Sequence, residues 1–69
     1  MKKKVFIEGM SCMHCVNRVT KALEEIPGVK SVRVDLDGKH AVVELAHDVD
    51  DEMFKTAVYD AGYEVTNIE

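Results

Sequence analysis

The chain has 69 residues, 46% of them hydrophobic, with one Pro, four Gly, two Cys and a formal net charge of −4 at pH 7. A chain this short has room for one core and its charge is too modest for disorder, so a multidomain enzyme is excluded and one globular domain over residues 1–69 is expected. Seven Lys/Arg and three Glu fall in residues 1–33, two Lys and ten acids in residues 34–69; this acidic balance, without a basic stripe interleaved with aromatics, argues against nucleic acid as a partner.

The opening Met1-Lys2-Lys3-Lys4 has the charge of an export signal, but the apolar run behind it, Val5-Phe6-Ile7, ends at Glu8. A signal needs about 7 to 15 apolar residues there, and nothing in the chain approaches the roughly 20 of a membrane span. Free thiols without an export signal point to the reducing cytoplasm.

In chain order, residues 3–8 alternate with Val5 and Ile7 on one face, which predicts a strand buried on one side, closed by Gly9. Val16, Val19, Ala22, Leu23 and Ile26 then recur at helical spacing. Ser11 is the expected N-cap of that helix, and Pro27-Gly28 its stop. Val32, Val34 and Leu36 alternate, Asp37-Gly38 supplies a turn, and Ala41, Val43 and Leu45 alternate again, the pattern of a β-hairpin. Asp48, Asp50, Asp51 and Glu52 place negative charge where a second helix begins, with Phe54, Ala57, Val58 and Ala61 on one face and Gly62 as its end. Tyr63 to Ile68 reads as the last strand.

The order βαββαβ predicts an α+β, ferredoxin-like fold: a four-stranded antiparallel sheet with two helices on one face and Phe6 and Val42 on the other. The Lys2–Lys4 run and the acids from Asp48 to Glu52 read as solvated faces or partners of a helix dipole.

Cys12 and Cys15 lie between the first strand and the first helix. A bridge between them would close too small a loop to restrict the unfolded chain, so they read as chemical rather than architectural. A helix N-terminus favours negative charge there and stabilises thiolates. By itself C-x-x-C fits a dithiol redox centre, half of a zinc site or a two-sulfur metal site. The chain adds only His14, His40 and His47, and their spacing does not match a four-ligand zinc site. Its one proline follows a helix, where a thioredoxin-like dithiol has a cis-proline facing the sulfurs. Cu(I), a soft ion satisfied by as few as two thiolates, fits best.

These residues also carry a resemblance. Gly9-Met10-Ser11-Cys12-Met13-His14-Cys15 resembles the G-M-x-C-x-x-C signature of the heavy-metal-associated domain, found in cytosolic copper chaperones and in N-terminal modules of copper-exporting P-type ATPases. Pro27-Gly28-Val29, Ser31 to Val34, Ala41-Val42-Val43 and Ala61-Gly62-Tyr63 extend it over the whole chain.

The resemblance implies that Cys12 and Cys15 are the Cu(I) ligands, that Met10 is a plug beneath the loop rather than a ligand, and that Tyr63 is the residue of bacterial-type chaperones. Tyr63 either limits solvent access beside the loop or is an ordinary half-buried aromatic. His14 is either solvent-facing or a third ligand, a group that lowers a thiolate pKa, or a bridge to a partner. Met13 is expected to meet a partner or solvent, and Arg18 and Lys21, opposite an acidic second helix, are candidate contacts for a partner.

The expectation is a non-enzymatic cytosolic carrier that passes Cu(I) by thiolate exchange to the metal-binding domain of a copper-transporting P-type ATPase. It would be monomeric without metal and able to share copper in a metal-bridged homodimer. Zn(II), Cd(II) or Hg(II) carriage on the same fold, an excised ATPase module and dithiol redox chemistry are the alternatives. The complete βαββαβ unit beginning at Met1 favours a free-standing protein over the module.

Overall fold

A computed structural model describes all residues, Met1–Glu69. It contains β1 (Lys2–Glu8), α1 (Met13–Glu24), β2 (Val29–Asp35), β3 (His40–Leu45), α2 (Asp51–Asp60) and β4 (Glu64–Ile68), the expected βαββαβ order. The strands form one antiparallel sheet in the order β2-β3-β1-β4.

The period-2 pattern explains the sheet's two faces. Val5, Ile7, Ala41, Val43 and Leu45 point under the helices and are buried, and they meet Val19, Leu23 and Ile26 from α1's side and Val49, Phe54 and Val58 from α2's. Phe54, Ile7 and Leu23 are the largest side chains fully withdrawn from water; each such burial contributes about 1.5–3 kcal/mol. The other face is open. There Phe6 and Val42 are half-buried, and the Phe6 ring lies 5.5 Å from that of His40.

Antiparallel helices follow from this connectivity: α1 starts where β1 ends, while α2 ends where β4 begins. One end of the domain therefore gathers Gly9–Cys15 with Ala61–Tyr63, and the other gathers Lys3 with the start of α2. Gly62, at φ 99°, closes α2 in a Schellman arrangement, with Gly62 N–H donating to Tyr59 O at 2.9 Å and Tyr63 N–H to Val58 O at 3.1 Å.

Three expectations need correction. The N-cap of α1 is Cys12, not Ser11, because Ser11 stands one residue too early to reach the helix's free N–H groups. The hairpin is not a two-residue Asp-Gly turn: Asp35 pairs with His40, leaving four residues between the strands, and Lys39, not Gly38, takes the left-handed conformation (φ 56°). Asp35 holds that loop by accepting from Gly38 N–H at 3.0 Å. Finally, Lys3 is not part of a uniformly solvated run. Its side chain is only 24% exposed and Nζ donates to Asp51 Oδ1 at 2.6 Å and to Val49 O at 3.2 Å, which ties β1 to the start of α2.

No helix is long and apolar enough to cross a membrane.

Candidate metal centre

The loop that carries the cysteines leaves β1 at Gly9, whose φ of 99° suits glycine. A Cβ there would sit 3.2 Å from Cδ1 of Tyr63, so the missing side chain is also what lets Tyr63 lie over the loop. Met10 is half-buried and packs against the core cluster. Cys12 is exposed and extended (φ −159°, ψ 174°), and its carbonyl accepts from Cys15 N–H at 3.0 Å and Val16 N–H at 3.2 Å. The helix thus begins directly on the first cysteine. Neither a capping side chain nor an acidic residue occupies its first turn, which leaves the positive end of the helix dipole facing the sulfurs.

Both cysteines are free, with Sγ atoms 3.9 Å apart. Two bonds of about 2.3 Å to one ion span up to about 4.6 Å, so one ion can be shared by the pair. The Ser11 hydroxyl lies 3.8 Å from Cys15 Sγ. Cys15 is correspondingly acidic, its thiol lowered to about 6. The Ser11 backbone N–H contributes most, followed by the Tyr63 hydroxyl, against an opposing effect of burial. Tyr63 moves the other way: its hydroxyl holds its proton more tightly because that proton faces the Cys15 sulfur.

The remaining candidates are dispersed. His14 is exposed on the outer side of α1, where it shares a shallow hollow with Asn17, Arg18 and Lys21. No group of three or more His, Cys, Asp or Glu side chains is placed to hold an ion, so His14 is not gathered with the two sulfurs. Met13 is 64% exposed and borders a hollow with Arg33, Leu36 and His40. Arg18 and Lys21 are exposed along α1, and the Arg18 charge reaches Tyr63. Ser11 reads from its type as a cap, but in the fold its hydroxyl and backbone N–H face the Cys15 sulfur instead; its place beside the first cysteine is the signal for that contact.

A paired soft-sulfur donor set, exposed and without a carboxylate, selects a soft ion over Mg(II) or Ca(II). The sequence pattern of the family described as heavy-metal-associated domain matches residues 4–64. The chain belongs to this family.

The heavy-metal-associated domain is 42% identical over 66 residues to the copper chaperone CopZ of Staphylococcus haemolyticus, covering 94% of this chain and 97% of that one. It is 46% identical over 59 residues to copper-transporting ATPase 1 of Rhizobium meliloti, covering 86% of this chain but 7% of the ATPase. The solved structure of a CopZ metallochaperone has a TM-score of 0.87 to it at 36% identity, covering 96% of this chain and 100% of the other.

Proposed function

We propose that this domain is a copper chaperone that binds one Cu(I) between Cys12 and Cys15 and surrenders it by thiolate exchange. The observation that carries the reading is the pair of free, accessible sulfurs 3.9 Å apart at an acid-free helix N-terminus, with no further ligand cluster around them. Two-coordinate Cu(I) leaves room for an incoming thiolate. The likeness to CopZ over nearly the full length of both chains supports a carrier acting as one domain over residues 1–69, without catalysis, in the cytoplasm.

Exchange follows from this chemistry. A partner thiol loses its proton as its sulfur adds to the ion, giving a three-coordinate intermediate. One of the two cysteines then leaves as thiolate and takes up a proton, and a second partner thiol, losing its own proton, displaces the other cysteine in the same way. The ion keeps its charge and is never released to water. The receiving domain is that of a copper-transporting P-type ATPase, since a copper-transporting ATPase carries a segment homologous to this chain, and the thiols that take the ion in the exchange are that domain's. Arg18 and Lys21 steer the encounter, an effect on rate more than on affinity.

The test is anaerobic competition of the fully reduced protein against a chromophoric Cu(I) chelator and, separately, a zinc dye. Cu(I) is expected to bind far more tightly, and Cys12→Ser or Cys15→Ser to cost more than about 100-fold, the upper cost of losing a group that only supports a ligand. Tighter Zn(II) binding, or Cu(I) binding that survives both substitutions, overturns the reading. Charge reversal at Arg18 and Lys21 is expected to slow transfer to an ATPase domain with metal affinity unchanged; unaltered transfer removes them from the encounter.

A further inference from the structure

The loop between β2 and β3 carries Asp37-Gly38, the chain's only Asp-Gly or Asn-Gly pair. The packing of His40 calls for glycine there: a Cβ on residue 38 would sit 2.6 Å from Cε1 and Nδ1 of His40 and 3.1 Å from Oδ2 of Asp35. The same bareness leaves the Gly38 nitrogen unhindered beside the exposed side chain of Asp37.

Such a pair has one reaction open to it that needs no partner but water. The Gly38 nitrogen bonds to Cγ of Asp37, and the N–H hydrogen leaves with the carboxyl's hydroxyl as water, closing a five-membered imide. Water then opens the ring at either carbonyl. One opening restores Asp37; the other leaves the main chain running through its side-chain carbon, as isoaspartate. Nothing is oxidised or reduced. Closure requires the Asp37–Gly38 peptide to turn its nitrogen toward Cγ, and the fold ties that peptide elsewhere. Gly38 N–H donates to Asp35 Oδ1 at 3.0 Å. The next peptide is held at both ends, His40 Nδ1 donating to Gly38 O at 3.2 Å and Lys39 N–H to Leu36 O at 3.3 Å.

We propose that Asp37 is a latent self-modification site and that Asp35 is the positioning residue that keeps it unreacted. Asp35 takes this part through a bond that short polar side chains commonly make to the backbone of a turn. The site lies at the cysteine end of the domain. Lys39 O accepts from Ile7 N–H at 2.9 Å, two residues before Gly9, so an extra backbone carbon between residues 37 and 38 would pull on the strand that carries the metal loop.

The test is prolonged incubation of the reduced, metal-free protein at neutral pH, followed by trypsin and chromatographic separation of the two isomers of the peptide Val34–Lys39, which have the same mass. The wild type kept unfolded in urea supplies the unguarded rate, and the folded wild type should form isoaspartate more slowly than that. Asp35→Ala, at an exposed position and checked by its melting curve, is expected to react about fivefold faster than the folded wild type, the factor that one net hydrogen bond represents. Asp35→Asn keeps an accepting oxygen without the charge and should stay near the wild type. Asp35→Ala combined with Asp37→Glu should give no product, since a glutamate cannot close the five-membered ring. A folded wild type that reacts as fast as the unfolded chain overturns the proposal. So does Asp35→Ala reacting no faster than the wild type, or more slowly, which would make the Asp35 carboxylate a base that assists closure. Asp35→Asn reacting as fast as Asp35→Ala removes the hydrogen bond as the cause and overturns it as well.

Discussion

The two helices begin in opposite ways. Asp50 caps α2, its side chain accepting from Glu52 N–H at 3.0 Å, and Asp51 and Glu52 add negative charge to the first turn. Lys3 then balances the acids from across the fold. At α1 the capping position holds a cysteine whose side chain makes no capping bond, and no acid follows. The same helix-end electrostatics serve stability in α2 and are left free in α1, where the groups that use them are the sulfurs. The loop end of the domain is thus built below its attainable stability, the usual cost of a binding site.

The largest effect that would expose this contrast comes from removing each serine or aspartate that could cap. Asp50→Ala is expected to cost about 1 kcal/mol, within a range of roughly 0.5–2. For a domain of this size that lowers the melting temperature by about 4–8 °C. Ser11→Ala, at the residue whose type and position suggest a cap for α1, should change stability by no more than about 0.5 kcal/mol. It should instead raise the Cys15 thiol from its value of about 6, read as a shift in the pH profile of alkylation. Equal losses of melting temperature in the two variants would break the contrast.

That misplaced cap marks the limit of what the residues disclose. The alternation of Val5 with Ile7 and of Ala41, Val43 and Leu45, set against the helical spacing from Val16 to Ile26, carries the element order because each period matches one burial pattern. The cysteines and their place before a helix are equally legible. Details set by one residue of register are not. Ser11 and Cys12 differ as caps only through where the chain turns into the helix, and Asp37-Gly38 looks like a two-residue turn until the pairing of Asp35 with His40 fixes a longer loop. Contacts between distant segments are illegible for a different reason. Lys3 meets Asp51, and Tyr63 lies over Gly9, only because the sheet brings β1 beside β4 and under α2.

A smaller effect should follow from making the first helix start like the second. Met13→Asp puts an acid at the first position of α1, on an exposed site that the core does not use. The helix dipole should return about 0.3–1 kcal/mol of stability. The same charge beside the sulfurs opposes the thiolate, so the Cys15 thiol rises and Cu(I) affinity falls. The two readouts, melting temperature of the metal-free protein and Cu(I) competition, are expected to move in opposite directions. A variant that gains both stability and affinity would show that α1's bare start is not held for the metal.

The smallest effect separates the two ends of the domain by pH. Cys15 is lowered from 9.0 in the ordinary state to about 6 in the fold, so the unfolded chain binds more protons between those values and stability rises with pH there. The contribution is complete above the ordinary value and is lost as pH falls through about 6. Lys3 has the opposite sign: its hydrogen bond to Asp51 raises it above 10.5, so its contribution is complete below that value and is lost as pH rises through the folded one. Solvent screening keeps both effects modest. Melting the reduced, metal-free protein from about pH 6 to 9 beside Cys15→Ser isolates the first, because every other titrating group is common to the two. The wild type should gain on the variant as pH rises, and Lys3→Met should run parallel to the wild type over that range and diverge from it only above pH 10.5. If Cys15→Ser keeps the wild-type slope, the donors gathered around Cys15 at the start of α1, the Ser11 N–H first and then the Tyr63 hydroxyl, are not stabilising a thiolate, and the functional half of the contrast between the helices fails.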